Sequence, residues 1–263
     1  MSFQPIIPTG GLAGWTFLNR TLEAQKEAFG QSAQYRREED YFRANIGNIE
    51  TAEQLVADRR LLAFSLSAFG LDADLPNKFF IQKILSDGTS DNAALSNRLS
   101  DKTYREFSDA FGLGQGQVRK TQQTSFADEI IQKYETQKFE ESVGNVNDDL
   151  RLALNLKREV SDLASSDMSE RAKLFTVLGS PPLRTTFETA FRLPSAFAGL
   201  DIDRQVTVLE EKLESAFGDA SISQFKDPDL SERLIQKFLL QSELSSFEAT
   251  SSPAATALFL LRS

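Results

Sequence analysis

The chain has 263 residues, with 29 basic and 38 acidic side chains and a formal net charge of −9. It contains no cysteine and no histidine, which excludes disulfide scaffolds, cysteine nucleophiles, zinc fingers and every histidine-dependent mechanism. The acidity argues against a nucleic-acid partner, because neutralising phosphates requires a clustered positive face.

Two observations bear on localisation. No segment approaches the roughly 18 uninterrupted apolar residues that a membrane span requires, so we expect no membrane span. The first fifteen residues lack the basic and apolar regions of a secretory signal. We therefore expect cytoplasmic synthesis.

Apolar residues follow helical spacing through most of the chain. Near the start, Trp15, Leu18, Leu22 and Phe29 step by three, four and seven along a helix that begins near Gly11. Residues 12–45 are predicted to form one long helix or two shorter ones. No stretch alternates polar and apolar residues over the length of a strand except inside a better helical match. The sequence therefore predicts an all-α, multi-helix protein.

A short repeat of Ala, Phe and then Gly or Arg ends five of the helical segments. These are Ala28–Gly30, Ala68–Gly70, Ala110–Gly112, Ala190–Arg192 and Ala216–Gly218. The phenylalanine is expected to pack on the core in the last helical turn. The glycine after it can adopt the left-handed conformation of a helix C-cap.

The repeat predicts an internal duplication, with two similar helical units at residues 51–120 and 171–244. An N-terminal helical segment, 1–50, precedes the first unit. Acidic central helices, 121–170, with 5 basic and 11 acidic residues by direct count, join the units. A polar tail, 245–263, ends in the apolar stretch 254–261, and Ser252 with Pro253 predicts the start of a last short helix. Docking of this stretch on the body is favoured over contact with a partner, and both stay open.

Three patterns suggest chemistry, but each has a simpler interpretation. The glycines at 112, 114 and 116 suggest a phosphate loop, but Arg119 stands where a Walker loop needs glycine before its lysine, so we interpret residues 112–123 as a flexible linker. Residues 87–92 lack the later ligands of a calcium loop and are predicted to connect two helices. Adjacent acids at 38–40, 140–141 and 148–149 point apart on a helix and are interpreted as solvated surfaces.

We therefore expect no catalytic residue, no cofactor and no metal, and we expect that the protein is not an enzyme. A carboxylate-based hydrolase or lyase, with a pocket between the two helical units, is the alternative. Apolar residues towards the two ends are the candidate partner contacts, and these are Trp15, Phe17, Phe259, Leu260 and Leu261. Trp15 lies on a helical stripe, where tryptophan is more often a core residue.

Six segments of the chain resemble, in the same order, an uncharacterised bacterial family known as domain of unknown function 1217. They are Ala13–Trp15, Ala57–Leu62, Ala68–Leu71, Phe79–Lys83, Asn97–Asp101 and Leu200–Gln205. Members of this family are typically alphaproteobacterial and are often encoded near flagellar genes, so the resemblance implies an association without a mechanism. Arg192 stands where the family usually has glycine, which predicts a looser cap or another geometry after Phe191.

The helical pattern predicts a non-enzymatic helical protein–protein interaction protein, and the resemblance implies a flagellum-associated structural or assembly factor. Its expected partner is a protein, with flagellar components as the first candidates. The resemblance also raises the hypothesis of signal-less export to the flagellum. The sequence leaves the oligomeric state open.

Overall fold

A computed structural model describes residues 3–251 of the chain, and the side chains of residues 3–248. Within this part there are thirteen α-helices and four short 3-10 helices, and no strand. The prediction of an all-α, multi-helix protein is confirmed. Among the described residues, no helix is both long enough and apolar enough to cross a membrane.

The helices follow one another with short connections. In chain order they are α1 (Gly11–Gly30), α2 (Ala33–Asn45), α3 (Ala52–Ala57), α4 (Arg59–Ser67), α5 (Lys78–Asp87), α6 (Leu95–Arg98), α7 (Thr103–Phe111), α8 (Phe126–Gly144), α9 (Asp148–Ser165), α10 (Glu170–Gly179), α11 (Pro181–Ala190), α12 (Ile202–Phe217) and α13 (Pro228–Ser251). The 3-10 helices are Ile46–Asn48, Asp72–Asp74, Ser195–Gly199 and Ile222–Lys226.

The chain divides into two compact units. Among the described residues, the first unit comprises residues 3–6 and Thr21–Val143, and the second comprises Ile7–Arg20 and residues 144–251. Helix α1 therefore contributes its first half to the second unit and its second half to the first. The five segments named from the sequence are not tested by this division and stay a prediction.

Aromatic rings form much of the core of the first unit. Phe64 lies between Phe42 and Tyr134, with ring centroids 4.3 Å and 3.7 Å away and nearly parallel planes. Phe107 and Phe111 are fully buried and make edge or tilted contacts with further phenylalanines. Stacked and edge-to-face arrangements are the favourable geometries for such rings, so the high phenylalanine content has a direct role in packing.

The core of the second unit surrounds α9. This helix contacts α11, α13 and the 3-10 helix Ile222–Lys226. Its inward side is almost entirely aliphatic, and the buried apolar residues are Leu150, Leu152, Ala153, Leu154, Leu156, Val160, Leu163 and Ala164. Asn147 begins α9 by accepting a hydrogen bond from the Leu150 amide, as expected for an N-cap.

Four of the five predicted caps adopt the left-handed conformation. Gly70, Gly112 and Gly218 have φ values of 70°, 61° and 85°. After Phe69, the Leu71 amide donates to the Leu66 carbonyl and the Gly70 amide to the Ser67 carbonyl, which is the Schellman pattern. The fifth prediction, at Gly30, is wrong because this residue is the last of α1 and has no positive φ.

Arg192 forms the same cap without glycine. Its φ of 50° is the one positive value at a non-glycine residue in the described chain. The Leu193 amide donates to the Glu188 carbonyl and the Arg192 amide to the Thr189 carbonyl, so the Schellman pattern is complete. The prediction of a looser or different cap after Phe191 is therefore wrong.

Residues 112–123 are packed against the first unit rather than forming the expected flexible linker. A Cβ atom on Gly114 would lie only 2.4 Å from the Gly88 Cα, which shows how closely the two backbone segments approach. Thr121 is buried and its hydroxyl donates to the Ile49 carbonyl at 2.7 Å. The glycines in this segment allow the backbone to turn and to approach neighbouring backbone closely.

Candidate functional site

The residues predicted as partner contacts have different environments. Trp15 is only 2% exposed, and its indole Nε1 donates to Glu232 Oε1 at 2.8 Å. A buried ring is not accessible to a partner, so Trp15 is removed from the candidate contacts. Phe17 is partly buried beside the Arg20 guanidinium, 5.7 Å from the ring centroid. The other three, Phe259, Leu260 and Leu261, lie outside the described residues.

Helix α13 carries an exposed apolar stripe that the sequence analysis missed. Leu240, Leu244 and Phe247 are 45%, 41% and 70% exposed. Their spacing of four and three residues places them along one side of the helix, because an α-helix turns 100° per residue. We call these three residues the α13 face.

The opposite side of α13 already packs in the core. Leu234, Ile235, Phe238 and Leu239 are at most 1% exposed. Helix α13 contacts α9 and α11 within the second unit. The helix is thus apolar on two sides, and of the described residues only those on one side are buried in the core. Surface helices normally carry a single apolar stripe, so the second stripe requires an explanation.

Charged side chains lie around the α13 face. Lys237 is one helical turn before Leu240, and its Nζ lies 6.0 Å from the Phe191 ring centroid. Beside the stripe, the Glu243 carboxylate lies next to Gly11, at the positive end of the α1 dipole. Glu248 lies on the other flank and pairs with Arg192 at 3.4 Å. The left-handed cap at Arg192 therefore directs a guanidinium towards the end of α13.

A buried polar cluster in the second unit is the strongest candidate for catalytic chemistry. Lys173 is 2% exposed, and its Nζ lies 2.6 Å from Ser223 Oγ, 3.0 Å from Glu170 Oε1 and 3.2 Å from the Ala164 carbonyl oxygen. A serine beside a lysine is one arrangement used in nucleophilic catalysis. Here, however, Glu170 also accepts hydrogen bonds from the amides of Ile222 and Ser223.

The electrostatics of this cluster favour a structural role. Burial acts to raise the pKa of Glu170, but hydrogen bonds from Ser223 and Lys173 outweigh it and lower the pKa to about 2. The Glu170 carboxylate is therefore ionised at neutral pH. The Ser223 hydroxyl accepts a hydrogen bond from Lys173 Nζ and donates its own hydrogen to Glu170, so its hydrogen is not directed at the lysine that would have to act as a base. The cluster instead links α10 to the 3-10 helix Ile222–Lys226.

An open groove in the first unit is lined mainly by polar side chains. The lining residues are Glu23, Ala24, Lys26, Glu27, Gln132, Glu135 and Thr136. Burial is the main cause that raises the pKa of Glu135, and the Tyr35 hydroxyl donates to this carboxylate at 3.4 Å. Across the described residues there is no group of three or more acidic side chains that could hold a metal ion.

The residues that suggested a calcium loop serve the local turns. Asp87 pairs with Lys83 at 2.9 Å and accepts a hydrogen bond from the Leu95 amide. Asp91 accepts one from the Ala93 amide. Both carboxylates therefore stabilise the connection between α5 and α6, as the sequence predicts.

Over the described residues 3–251, the chain is an all-helical protein of two compact units, and the second unit carries the exposed α13 face. Residues 68–230 match the family described as Protein of unknown function (DUF1217), and because this is more than half of the chain, the chain belongs to that family. The family resemblance seen in the sequence is thus confirmed.

A crystal structure of a structural-genomics target protein from Agrobacterium tumefaciens is similar to this chain. The TM-score is 0.74 with 25% sequence identity, over 92% of this chain and 99% of the other. No curated protein matches the chain significantly. Neither the family description nor the structural relative specifies a partner or an activity.

Proposed function

We propose that this protein is a non-enzymatic interaction protein that binds a helical segment of a partner protein on the α13 face. The observation that carries the proposal is the pair of opposite apolar sides on α13, of which only one packs in the core. Helix recognition commonly uses apolar residues at positions i, i+4 and i+7, and the α13 face presents this pattern.

The energetics of the α13 face support binding as its role. A phenylalanine that is 70% exposed leaves most of its apolar surface in water. Burying a Leu or Phe side chain contributes about 1.5–3 kcal/mol, so three such residues provide a substantial driving force for association. Phe247 is the most exposed of the three and is the expected anchor of the contact.

A flagellum-associated structural or assembly role is the more specific part of the proposal. Its support is the family resemblance, together with the absence of cysteine from the sequence. The carboxylate-based hydrolase or lyase has no specific observation in its favour.

The test compares three full-length tagged proteins expressed in a flagellated host. The double variant Leu244→Asp/Phe247→Asp places two charges on the α13 face. A matched control, Phe79→Asp/Val118→Asp, places two charges at apolar residues of the first unit that are 89% and 75% exposed. Circular dichroism and the fluorescence of Trp15 check that all three proteins are folded.

We expect the wild type and the control to capture the same flagellar components and the α13 variant to lose them. Equal capture by all three proteins would remove the α13 face as the binding surface. Capture of no flagellar component, with normal motility of a deletion strain, would remove the flagellar role.

A further inference from the structure

We propose that Gln25, Phe29 and Phe139 form a binding site for an extended peptide segment of a partner protein, and that residues 3–6 of the same chain occupy this site when no partner is bound. We call these three residues the Gln25 site. The site and residues 3–6 all belong to the first unit. The site is therefore separate from the α13 face, which belongs to the second unit.

Gln25 is a polar residue at a position where the sequence pattern predicts an apolar one. It follows Leu22 by three residues and precedes Phe29 by four, so it lies on the apolar stripe of α1. Its side chain is nevertheless buried, with 7% exposure. Burying an amide group is costly unless its donors and its acceptor have partners, so the contacts of Gln25 account for its presence on the stripe.

The amide group of Gln25 binds the backbone of Ile6 at two points. The Ile6 amide donates to Gln25 Oε1 at 2.8 Å, and Gln25 Nε2 donates to the Ile6 carbonyl oxygen at 3.2 Å. Gln25 Nε2 also donates to Thr21 Oγ1 at 2.8 Å, which fixes the orientation of the amide group. The Ile6 side chain itself is 64% exposed. Gln25 therefore binds main-chain groups and accepts any residue here except proline, which has no amide hydrogen.

Side-chain selectivity comes from the residues of the segment that face the first unit. The Phe3 ring lies edge-on to Phe29, with the ring centroids 5.4 Å apart, and its centroid is 6.1 Å from that of Phe139. Pro5 is buried, whereas Gln4 between them is exposed. Alternate side chains of an extended segment point to opposite sides, so this pattern is typical of a bound extended peptide. The site therefore fits a segment with an aromatic residue and, two positions later, a proline.

The contacts of residues 3–6 allow this segment to leave while the helices stay folded. Residues 3–10 belong to no helix. Over the part of the chain that the structure describes, two hydrogen bonds, the Phe3 ring and buried Pro5 hold the segment to the first unit. Segments with few buried contacts open at a lower free energy than core helices. An incoming peptide of the same chemistry replaces both the hydrogen bonds to Gln25 and the contact with Phe29.

The chain's own segment competes with a partner at high effective concentration. A short flexible connection gives an effective concentration in the millimolar range. A free peptide at lower concentration therefore binds the wild type weakly, even when its contacts with the Gln25 site are equivalent. Weakening the chain's own segment should strengthen the binding of a free peptide.

The test uses the full-length protein and an acetylated peptide of residues 3–7, FQPII, with a fluorophore at its C-terminal end. Phe3→Ala in the protein weakens the chain's own segment, so fluorescence anisotropy should show roughly tenfold tighter binding of the peptide than by the wild type. Phe3→Ala/Gln25→Leu restores an apolar residue on the α1 stripe and should lose this binding. Circular dichroism checks that all three proteins are folded.

Two altered peptides are the matched controls. Ile6→Pro removes the amide hydrogen that Gln25 accepts, so this peptide should not bind. Ile6→Ser changes only an exposed side chain, so this peptide should bind like its parent. Equal binding of the Ile6→Pro peptide and its parent would overturn the proposal. Absence of binding between the parent peptide and folded Phe3→Ala protein would overturn it as well.

Hydrogen exchange of the wild-type protein tests the displacement without a variant. The Ile6 amide should be protected in the free protein, because its hydrogen is bonded to Gln25, and it should exchange faster when unlabelled peptide is added in excess. Exchange of the Ile6 amide that the peptide leaves unchanged would overturn the proposal. None of these measurements involves the α13 face, so their outcome is independent of the proposed function.

Discussion

Four α-helices of each unit follow one another in a corresponding order, but the two units use different polar chemistry. In the first unit the order is α2, the 3-10 helix Ile46–Asn48, α3, α4, a second 3-10 helix and α5. In the second unit it is α9, α10, α11, a 3-10 helix and α12, so Ile46–Asn48 has no counterpart there. In each, the first of these α-helices contacts the third, and the second contacts the third and the last. Helices α2 and α9 lie outside the predicted units 51–120 and 171–244, so this correspondence does not follow the predicted bounds, and an internal duplication stays a prediction.

The polar groups do not follow this correspondence. All four tyrosines of the chain belong to the first unit, and each donates a hydrogen bond to a carboxylate. The pairs are Tyr35–Glu135, Tyr41–Asp58, Tyr104–Asp74 and Tyr134–Glu38. The second unit has instead the buried cluster of Glu170, Lys173 and Ser223. The polar contacts therefore differ between the two units although four α-helices of each follow a corresponding order.

The largest expected effect concerns the cluster of the second unit. Glu170→Ala should lower the free energy of unfolding by about 2 kcal/mol, because it leaves buried Lys173 without its ion-pair partner, while the 41% exposure of the Glu170 side chain weakens the pair through solvent screening. Denaturant unfolding followed by Trp15 fluorescence measures the change, since Trp15 lies in the second unit. The double variant Glu170→Ala/Lys173→Met should recover part of the loss, as the uncompensated charge is gone. A loss below about 0.5 kcal/mol in the single variant would show that the cluster is not a structural link.

The same carboxylate predicts a dependence on pH. The pKa of Glu170 is about 2 in the folded protein, below its ordinary value of 4.5. A lowered pKa stabilises the fold above the unfolded-state value, and this stabilisation is lost as the pH falls from about 4.5 to about 2. The difference in unfolding free energy between the wild type and Glu170→Gln should therefore shrink across this range. A difference that is the same at pH 5 and pH 2.5 would contradict the assignment.

A smaller effect is expected when one polar contact of the first unit is removed. The Tyr104 hydroxyl donates to Asp74 Oδ2 at 2.6 Å, and its ring packs edge-on against Phe80. Tyr104→Phe keeps the ring and removes the hydroxyl, so a loss of about 1 kcal/mol is expected in denaturant unfolding. If Tyr104→Phe destabilised the protein as much as Glu170→Ala, a single tyrosine–carboxylate hydrogen bond of the first unit would matter as much as the polar cluster of the second unit. The expected difference between the two units would then be wrong.

The smallest expected changes in stability come from substitutions at the two Schellman caps, at Gly70 and Arg192. Gly70→Ala should cost about 1 kcal/mol, because its φ of 70° is strained for a residue with a Cβ while the space around that Cβ is open enough. Arg192→Gly should stabilise the second unit by about 0.5 kcal/mol, since it relieves the same strain and loses only an exposed ion pair. Thermal unfolding of both variants measures these shifts. A destabilised Arg192→Gly would mean that the contact with Glu248 outweighs the strain.

Helical periodicity and cap residues predicted much of this fold from the sequence. The start of α1 at Gly11 and the caps at Gly70, Gly112 and Gly218 follow from local rules that need no tertiary information. The left-handed Arg192 could not be predicted in this way, because the surrounding contacts, rather than the residue itself, impose its φ.

The candidate site was harder to predict for two reasons. Burial depends on neighbours that are distant in sequence. The sequence alone therefore could not decide whether Trp15 is a core residue or a surface contact, because its hydrogen-bond partner, Glu232, is 217 residues away. The α13 face was missed because the sequence predicted a polar tail from residue 245, whereas α13 runs to Ser251. The spacing of Leu240, Leu244 and Phe247 was the signal that could have revealed it.

The most direct test of the α13 face as the interaction surface is hydrogen exchange of the full-length protein with and without its captured partner. Residues 240–251 should exchange more slowly in the complex than in the free protein, because the bound partner covers the α13 face. Slower exchange confined to other helices, with residues 240–251 unchanged, would contradict the account.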